Sequence, residues 1–192
     1  MSAHRERVKM LKRVNAHQQV NDPFWLSGYT DGSHHPDTGK GGVGLWVRDN
    51  ETRILKAIPT PPWAVNSNLV ELFGVCAAIE TALTELTQEA NILVIKTDSQ
   101  STANWFGWQG NKSVPKQPEA LEMMQHVLEL ATDRRVKVVV KWVKGHQGTG
   151  SVVGYLNNRV DKMARDARLK GVPSRWSCRV NEERKQGPVA QR

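Results

Sequence analysis

Hydrophobic and polar residues follow two different periods along the chain, and these periods divide it into predicted strands and helices. From Trp25 onward, the segments FWLSGYTDG, GGVGLWVRD and TRILKAIPT are short, rich in β-branched and aromatic residues, and separated by turns of Gly, Asp and Asn. They predict a meander of three antiparallel strands. The proline-rich segment PTPPWAVNSN then leads into a helix, because it ends in residues that commonly cap helices.

The rest of the pattern alternates predicted helices with predicted buried strands. One helical stripe is formed by Leu69, Leu72, Phe73, Cys76, Ile79, Leu83 and Leu86. NILVIKTD and VKVVVKWV are almost continuously apolar, as expected of strands buried on both faces. QPEALEMMQHVLELA and NNRVDKMARDARLK predict two further helices, and GHQGTGSVVGYL predicts a loop before the last one. We therefore predict one α/β domain with a mixed sheet flanked by helices.

Composition is that of a water-soluble domain with one core. The chain has 192 residues, of which 39% are hydrophobic and 24% charged. No uninterrupted apolar run approaches the roughly 20 residues of a membrane helix, and the start is too polar for a secretory signal. Cys76 and Cys178 lack a metal-like spacing, and Cys76 lies in an apolar helical pattern. We expect a buried free thiol at Cys76 and a reducing, cytoplasmic location.

The net charge of +8 is concentrated at the two ends of the chain. Residues 1–24 carry five Lys/Arg against two acidic residues, a net charge of +3, and residues 168–192 carry seven against two, a net charge of +5. Basic and acidic residues balance in between. Such basic segments favour a polyanionic partner, most often nucleic acid. The alternative is that they serve only solubility.

Four acidic residues occupy four different predicted elements. Asp31 lies within a strand, where aspartate is uncommon, and Asp98 ends a buried strand, where such sheets bind ligands. Glu71 and Asp161 fall in predicted first turns of helices. Brought together, these carboxylates would repel one another unless a cation neutralised them, and oxygen-rich clusters suit Mg²⁺ or Mn²⁺. Two such ions about 4 Å apart stabilise both the attacking and the leaving oxygen of a phosphoryl displacement.

Each acidic residue taken alone has a simpler explanation. Asp31 followed by Gly32 is a common turn. Glu71 and Asp161 are favoured near helix N-termini, and Asp98 before Ser99 is compatible with a helix cap. Only the joint arrangement is specific.

The motifs YTDGS, NSNLVEL, IKTDSQ and WVKGH…NNRVDKMA occur in the order and context of type 1 ribonuclease H. The chain resembles that family over roughly residues 25–170. The resemblance implies a ribonuclease H-like mixed sheet of five strands, three antiparallel and then two parallel, flanked by helices. It divides the chain into a basic N-terminal arm or helix (1–24), the catalytic domain (25–170) and a basic C-terminal tail (171–192).

The same resemblance implies a metal-dependent endoribonuclease. It would hydrolyse the RNA strand of RNA–DNA hybrids with two Mg²⁺ ions, for which Mn²⁺ can substitute, and leave 5′-phosphate and 3′-hydroxyl ends. Asp31 would bridge both ions, with Asp161 on the water-activating side and with Glu71 and Asp98 on the leaving-group side. His146 matches the family's mobile histidine, which assists proton transfer and product release. We expect a monomer that binds nucleic acid and no membrane.

Five further residues match positions that approach the substrate in this family: Gly32, Ser33, Asn68, Gln100 and Asn157. Short polar side chains and glycines suit the wide, shallow minor groove in which the RNA 2′-hydroxyl is read. For Asn68, a helix cap is the alternative. A histidine beside glycine, as at position 146, is ordinarily just solvated.

Several positions depart from the family pattern. Ser67 precedes Asn68 where two asparagines are common, and Asn66 occupies the place of a phosphate-contacting threonine. The separation between His146 and Asp161 is similar to that of retroviral ribonuclease H domains. The segment WFGWQGNKSVPKQ is too short for the family's Lys-rich protrusion. Its residues Trp105 and Trp108 either stack on the DNA strand or belong to the core.

Three other functions compete with this interpretation. Exonucleases of the same superfamily carry a second acidic residue two places after the first, and here Ser33 occupies that place. An inactive or weakly active hybrid-binding module is disfavoured by the presence of all four carboxylates. A ribonuclease H domain excised from a reverse transcriptase remains compatible with the sequence.

Overall fold

The computed structural model describes residues 25–111, 113–145, 151–171 and 178–181. The strands are Trp25–His34 (β1), Gly41–Arg48 (β2), Thr52–Pro59 (β3), Ile92–Thr97 (β4), Lys137–Trp142 (β5) and Cys178–Asn181 (β6). The helices are Ser67–Glu85 (α1), Gln100–Trp105 (α2), Pro118–Asp133 (α3) and Val152–Lys170 (α4), with a 3₁₀ turn at Trp108–Gly110.

The strands form one mixed sheet in the order β5-β4-β1-β2-β3-β6. β1, β2 and β3 pair antiparallel, as the tight turns between them predict. β4 lies parallel to β1, and β5 lies parallel to β4. The predicted five-stranded sheet is therefore confirmed. β6 adds a sixth strand antiparallel to β3. This strand was not predicted, because four residues in a polar tail are too few to show a strand period.

Helices cover both faces of the sheet. α1 and α3 enclose the larger core on one face, where Leu72, Val75 and Ile79 are fully buried. α4 covers β1, β2 and β3 on the other face, over a smaller core around Tyr29 and Trp46. These two apolar layers hold the central strands in place, as a layered α/β domain requires.

α1 is a buried core helix whose length and composition resemble those of a membrane span. Its 19 residues are long and apolar enough to cross a membrane, but 67% of its most apolar window is buried within the protein. Cys76 on this helix is a buried free thiol, as predicted, and burial raises its pKa. The apolar residues of α1 therefore serve the core.

α4 lies directly on β2 because two positions of that strand have no side chain. A Cβ built on Gly44 would clash with the carbonyl oxygen of Val160, and a Cβ on Gly42 would clash with the backbone at Ala164 and Arg168. Glycine at these positions permits the close approach of helix and strand. This approach sets the height of α4 above the sheet.

Two helices begin earlier than the sequence predicted. Asn66 caps α1 through a hydrogen bond from the N–H of Leu69 to its Oδ1 (3.0 Å), so Glu71 lies in the second turn rather than the first. α4 begins at Val152, where Ser151 Oγ accepts a hydrogen bond from the N–H of Gly154 (3.0 Å). Asp161 is therefore in the middle of a helix, and the predicted loop ends before residue 152.

Candidate active site

Two adjacent parallel strands bring Asp31 and Asp98 to the same region of the sheet. β1 continues past Asp31, which pairs with Gly44 of β2, and it ends only at His34. The explanation of Asp31 as a turn residue is therefore wrong. Asp98 follows directly after β4, the parallel neighbour of β1. Since the carboxyl ends of parallel strands share one edge of a sheet, both carboxylates lie where ligands bind in this architecture.

Three of the four predicted carboxylates converge. One oxygen from each of Asp31, Glu71 and Asp98 lies within 4.8 Å of the others. The N–H of Gly32 donates to Asp31 Oδ1 (2.8 Å) and to Glu71 Oε1 (3.0 Å), which ties the strand carboxylate to the helix carboxylate. The other oxygen of Glu71, Oε2, is buried and has no hydrogen-bond partner among the described residues.

Burial and mutual repulsion disfavour the ionised forms of the carboxylates in this cluster. Burial raises the pKa of Asp31 to about 7, and the charges of Asp98 and Asp161 contribute to the rise. The pKa of Glu71 is raised well above its ordinary value, by burial first and then by the charges of Asp31 and Asp98. The cluster is therefore stabilised by protons or by a cation.

Asp161 lies beside this cluster rather than within it. Its carboxylate does not belong to the group of three whose oxygens converge. Asp161 Oδ1 accepts a hydrogen bond from Arg165 Nε at 2.9 Å, one helical turn further along α4. It is nevertheless close enough for its charge to raise the pKa of Asp31. α4 therefore presents the fourth carboxylate at the margin of the cluster.

The donor set fits a hard divalent cation. Converging carboxylate oxygens are the ligands that Mg²⁺ and Mn²⁺ prefer. The buried, partnerless Oε2 of Glu71 is a further oxygen that a cation would satisfy. The residues that would hold such an ion are Asp31, Glu71 and Asp98, with Asp161 beside them.

The residues predicted to approach the substrate differ in accessibility. Asn68 and Gln100 are exposed in the first turns of α1 and α2. Because Asn66 caps α1, the cap explanation of Asn68 is wrong. Asn157 is only 4% exposed, and its Oδ1 has no partner within the described part of the chain.

The remaining predicted positions are tied to the strand or fall outside the described residues. Gly32 uses its N–H within the carboxylate cluster, and Ser33 is half-buried on β1. His146 lies outside the described residues, so its role and the length of its loop stay predictions. Trp105 and Trp108 are half-buried against the larger core, which favours the core explanation over stacking on DNA.

Two residues that were not predicted from the sequence contact Asp98. Trp142 Nε1 donates a hydrogen bond to the carbonyl oxygen of Asp98 (3.0 Å). Gly145 lies against the carboxylate of Asp98, because a Cβ built there would clash with Asp98 Oδ2. The only signal in the sequence was the position of both residues in the motif WVKGH, of which only the histidine was given a role.

A mixed sheet with acidic residues gathered at the ends of its central parallel strands defines a class of cation-dependent α/β enzymes. A family model described as RNase H matches residues 26–168. The ribonuclease H of Cereibacter sphaeroides is 32% identical over 150 residues, which span 73% of this chain and 92% of that relative. The chain therefore belongs to the ribonuclease H family, and the predicted class of enzyme is confirmed.

Solved structures show the same fold. The N-terminal ribonuclease H domain from Mycobacterium tuberculosis, fused to maltose-binding protein, has a TM-score of 0.54 at 20% identity and covers 76% of this chain and 94% of that chain. LC11-RNase H1, solved in complex with an RNA/DNA hybrid, has a TM-score of 0.54 at 18% identity and covers 76% and 98% of the two chains. These similarities confirm the predicted ribonuclease H-like fold.

Proposed function

We propose that this protein hydrolyses the RNA strand of RNA–DNA hybrids by a mechanism that uses two divalent cations, and that it leaves 5′-phosphate and 3′-hydroxyl ends. The observation that carries the proposal is the convergence of Asp31, Glu71 and Asp98 within 4.8 Å. Family membership and a structural neighbour solved with an RNA/DNA hybrid support this choice of substrate. We further propose that it acts as a cytoplasmic monomer.

We propose different roles for the acidic residues according to their positions in the cluster. Asp31 shares the N–H of Gly32 with Glu71, and the charges of both Asp98 and Asp161 raise its pKa. These contacts on several sides support the proposal that Asp31 would serve both cations. Asp161 approaches from α4, on the side proposed to activate water. When bound, Mg²⁺ ions neutralise this cluster, lower the pKa of a coordinated water and stabilise the leaving oxygen.

The chain's own hydrogen bonds prepare the site before substrate arrives. Gly32 holds Asp31 and Glu71 in fixed orientations through one shared N–H. Preorganised polar groups lower the activation free energy because they need not reorient as charge develops in the transition state. His146, which follows Gly145 in the sequence, is proposed to assist proton transfer and product release.

Selectivity for RNA is proposed to reside in polar residues around the cluster. Asn68 is three residues before Glu71 and is therefore its neighbour on the surface of α1. Gln100 begins α2, two residues after Asp98. We propose that these side chains, with Ser33 on β1, supply hydrogen-bonding groups of the kind that read a 2′-hydroxyl.

A comparison of four substrates tests this function. The full chain is given a hybrid, double-stranded RNA, single-stranded RNA and a DNA duplex with one embedded ribonucleotide, each with and without EDTA. We expect Mg²⁺-dependent cleavage of the RNA strand in the hybrid and no cleavage of double- or single-stranded RNA. Equal cleavage of all RNA substrates would contradict the proposed substrate. Binding of the hybrid without cleavage would show an inactive binding module instead.

A further inference from the structure

Asp98 needs support that the other two members of the cluster receive from regular secondary structure. Asp31 is held within the β1–β2 ladder, and Glu71 lies within α1. Asp98 occupies the short connection between the end of β4 at Thr97 and the start of α2. A residue in such a connection requires contacts from elsewhere if its carboxylate is to point in one direction.

The end of β5 supplies the first of these contacts. Trp142 is paired with Thr97 in the β4–β5 ladder, and the N–H of Val143 donates to the carbonyl oxygen of Thr97 (2.9 Å). From this fixed position the Trp142 indole donates its hydrogen bond to the carbonyl oxygen of Asp98. The side chain is 39% exposed and belongs to neither core cluster. Its directed contact is therefore this hydrogen bond rather than core packing.

Gly145 supplies the second contact. Besides the clash with Asp98 Oδ2, a Cβ on Gly145 would lie 3.2 Å from both Cβ and Cγ of Asp98. Gly145 is not among the glycines with positive φ, so its backbone conformation is open to other residues. The need for glycine comes from the space that the Asp98 carboxylate occupies.

We propose that Trp142 and Gly145, together called the β5 clamp, are positioning residues that fix Asp98 for cation binding. Trp142 holds the backbone of Asp98, and Gly145 limits the directions open to its carboxylate. This role rests on the proposed function. Both residues contact Asp98 itself, and the proposal is that they act through it.

The hydrogen bond is tested by Trp142→Phe, which keeps an aromatic ring and removes the donor. The matched control is Trp25→Phe, because Trp25 is 38% exposed and lies six residues before Asp31. Mg²⁺ binding to the full chain is measured by titration calorimetry without nucleic acid. We expect Trp142→Phe to weaken binding about 10-fold, the low end for loss of a group that orients a metal ligand. Trp25→Phe should bind as the wild type does.

The steric contact is tested by Gly145→Ala. The added methyl group would meet side-chain atoms of Asp98 rather than backbone, so we expect the protein to fold with the carboxylate turned from its present direction. We expect Mg²⁺ affinity to fall by roughly 10- to 100-fold. Melting temperatures of both clamp variants in EDTA should match the wild type, because the clamp acts on ligand direction rather than on the core.

Cleavage of hybrid at increasing Mg²⁺ separates positioning from damage to the fold. All four carboxylates remain in Trp142→Phe, so its rate should return to nearly the wild-type value at saturating Mg²⁺. Wild-type affinity for Mg²⁺ in both clamp variants would overturn the positioning role and leave the proposed function intact. A reduced melting temperature in EDTA with a rate that Mg²⁺ does not restore would also overturn it. A wild-type chain that neither binds Mg²⁺ nor cleaves hybrid would overturn the proposed function itself.

Discussion

Asp31 and Glu71 accept hydrogen bonds from one N–H, that of Gly32, while they repel each other and Asp98. Replacing one of these acids with a neutral residue would raise the free energy of unfolding of the metal-free protein, so stability alone does not explain the cluster. Buried carboxylates with raised pKa values and converging oxygens are typical of functional sites. At the scale of the residue, the site is therefore built for a ligand with positive charge.

The raised pKa of Asp31 predicts how the metal-free protein responds to pH. The folded state keeps a proton on Asp31 up to about pH 7, whereas the unfolded chain releases it near pH ~4. In this interval the folded state binds more protons, so its free energy of unfolding falls as the pH rises. We expect a loss of roughly 1–3 kcal/mol in urea unfolding with EDTA present.

Asp31→Asn provides the check on that pH dependence. The amide cannot ionise, so the variant should be more stable than the wild type at neutral pH and should lose less stability between about pH 4 and about pH 7. Asp133→Asn, an exposed residue at the end of α3, is the control and should leave the slope unchanged. Identical slopes in Asp31→Asn and wild type would show that Asp31 is not the titrating group.

His146 is predicted to help the reaction without holding a cation. His146→Ala should lower kcat by about 10²-fold, the low end for acid–base assistance, with little change in KM. His126→Ala is the control, because the side chain of His126 is 61% exposed on α3. A loss as large as that of the carboxylate variants would make the histidine indispensable and would contradict its assignment as a helper.

All four acidic residues could be selected from the sequence, but their arrangement could not. An aspartate within a strand and another at the end of a buried strand are local anomalies that a sequence displays. The hydrogen bond between Asp161 and Arg165 depends on side-chain directions on α4. The contacts of Trp142 and Gly145 with Asp98 join segments that are more than 40 residues apart in the sequence, so no local pattern predicts them.

At the scale of elements, the position of α4 matters most to the site. The helix carries Asp161 and lies against Gly42 and Gly44 of β2. The predicted start of this helix was five residues late, because the Gly- and Ser-containing segment before Asn157 has the composition of a loop. The cap at Ser151 makes those residues helical. Long periodic stretches were thus predictable, whereas helix ends depended on single hydrogen bonds.

Gly44→Ala tests the close packing of α4. The new methyl group would meet the carbonyl oxygen of Val160, a backbone atom that cannot rotate away. We expect a loss of about 3 kcal/mol in urea unfolding, the upper end for overpacking, and a lower kcat because Asp161 moves with its helix. Gly39→Ala is the control. Its φ is 65° but its Cβ meets nothing within 4 Å, so it should lose only about 1 kcal/mol from backbone strain. A smaller loss at Gly44 than at Gly39 would contradict the packing.

At the scale of the whole molecule, the net positive charge lies at the two ends of the chain, outside the segment that contains the acidic cluster. The body between the basic ends has no net charge and contains the acidic cluster, yet the proposed substrate is a polyanion. The basic ends are the largest positive reserve of the chain, so we expect at least one of them to contact substrate phosphates. Because β6 lies within the C-terminal basic segment and pairs with β3, deletion of that segment would also expose a sheet edge.

Two variants test the basic ends without disturbing the sheet. One lacks residues 1–21, and the other replaces Arg184, Lys185 and Arg192 with Gln. We expect weaker hybrid binding at low salt, unchanged kcat, and a salt dependence shallower by roughly 0.7–0.9 log units for each phosphate that the variant no longer neutralises. Arg134→Gln with Lys137→Gln, exposed at the opposite end of β5 from Asp98, is the control. Unchanged KM and salt dependence in both variants would show that the ends serve only solubility.

The central claim is that the acidic cluster is the catalytic centre, and Asp98→Asn tests it most directly. The variant keeps the size of the side chain and the backbone carbonyl that Trp142 contacts, while it removes the charge that a cation requires. The rate of RNA-strand cleavage in a hybrid is measured for both proteins at saturating Mg²⁺, with circular dichroism to show that both are folded. We expect a folded variant without detectable turnover. A folded Asp98→Asn protein that cleaves the hybrid at the wild-type rate would contradict the assignment of this cluster.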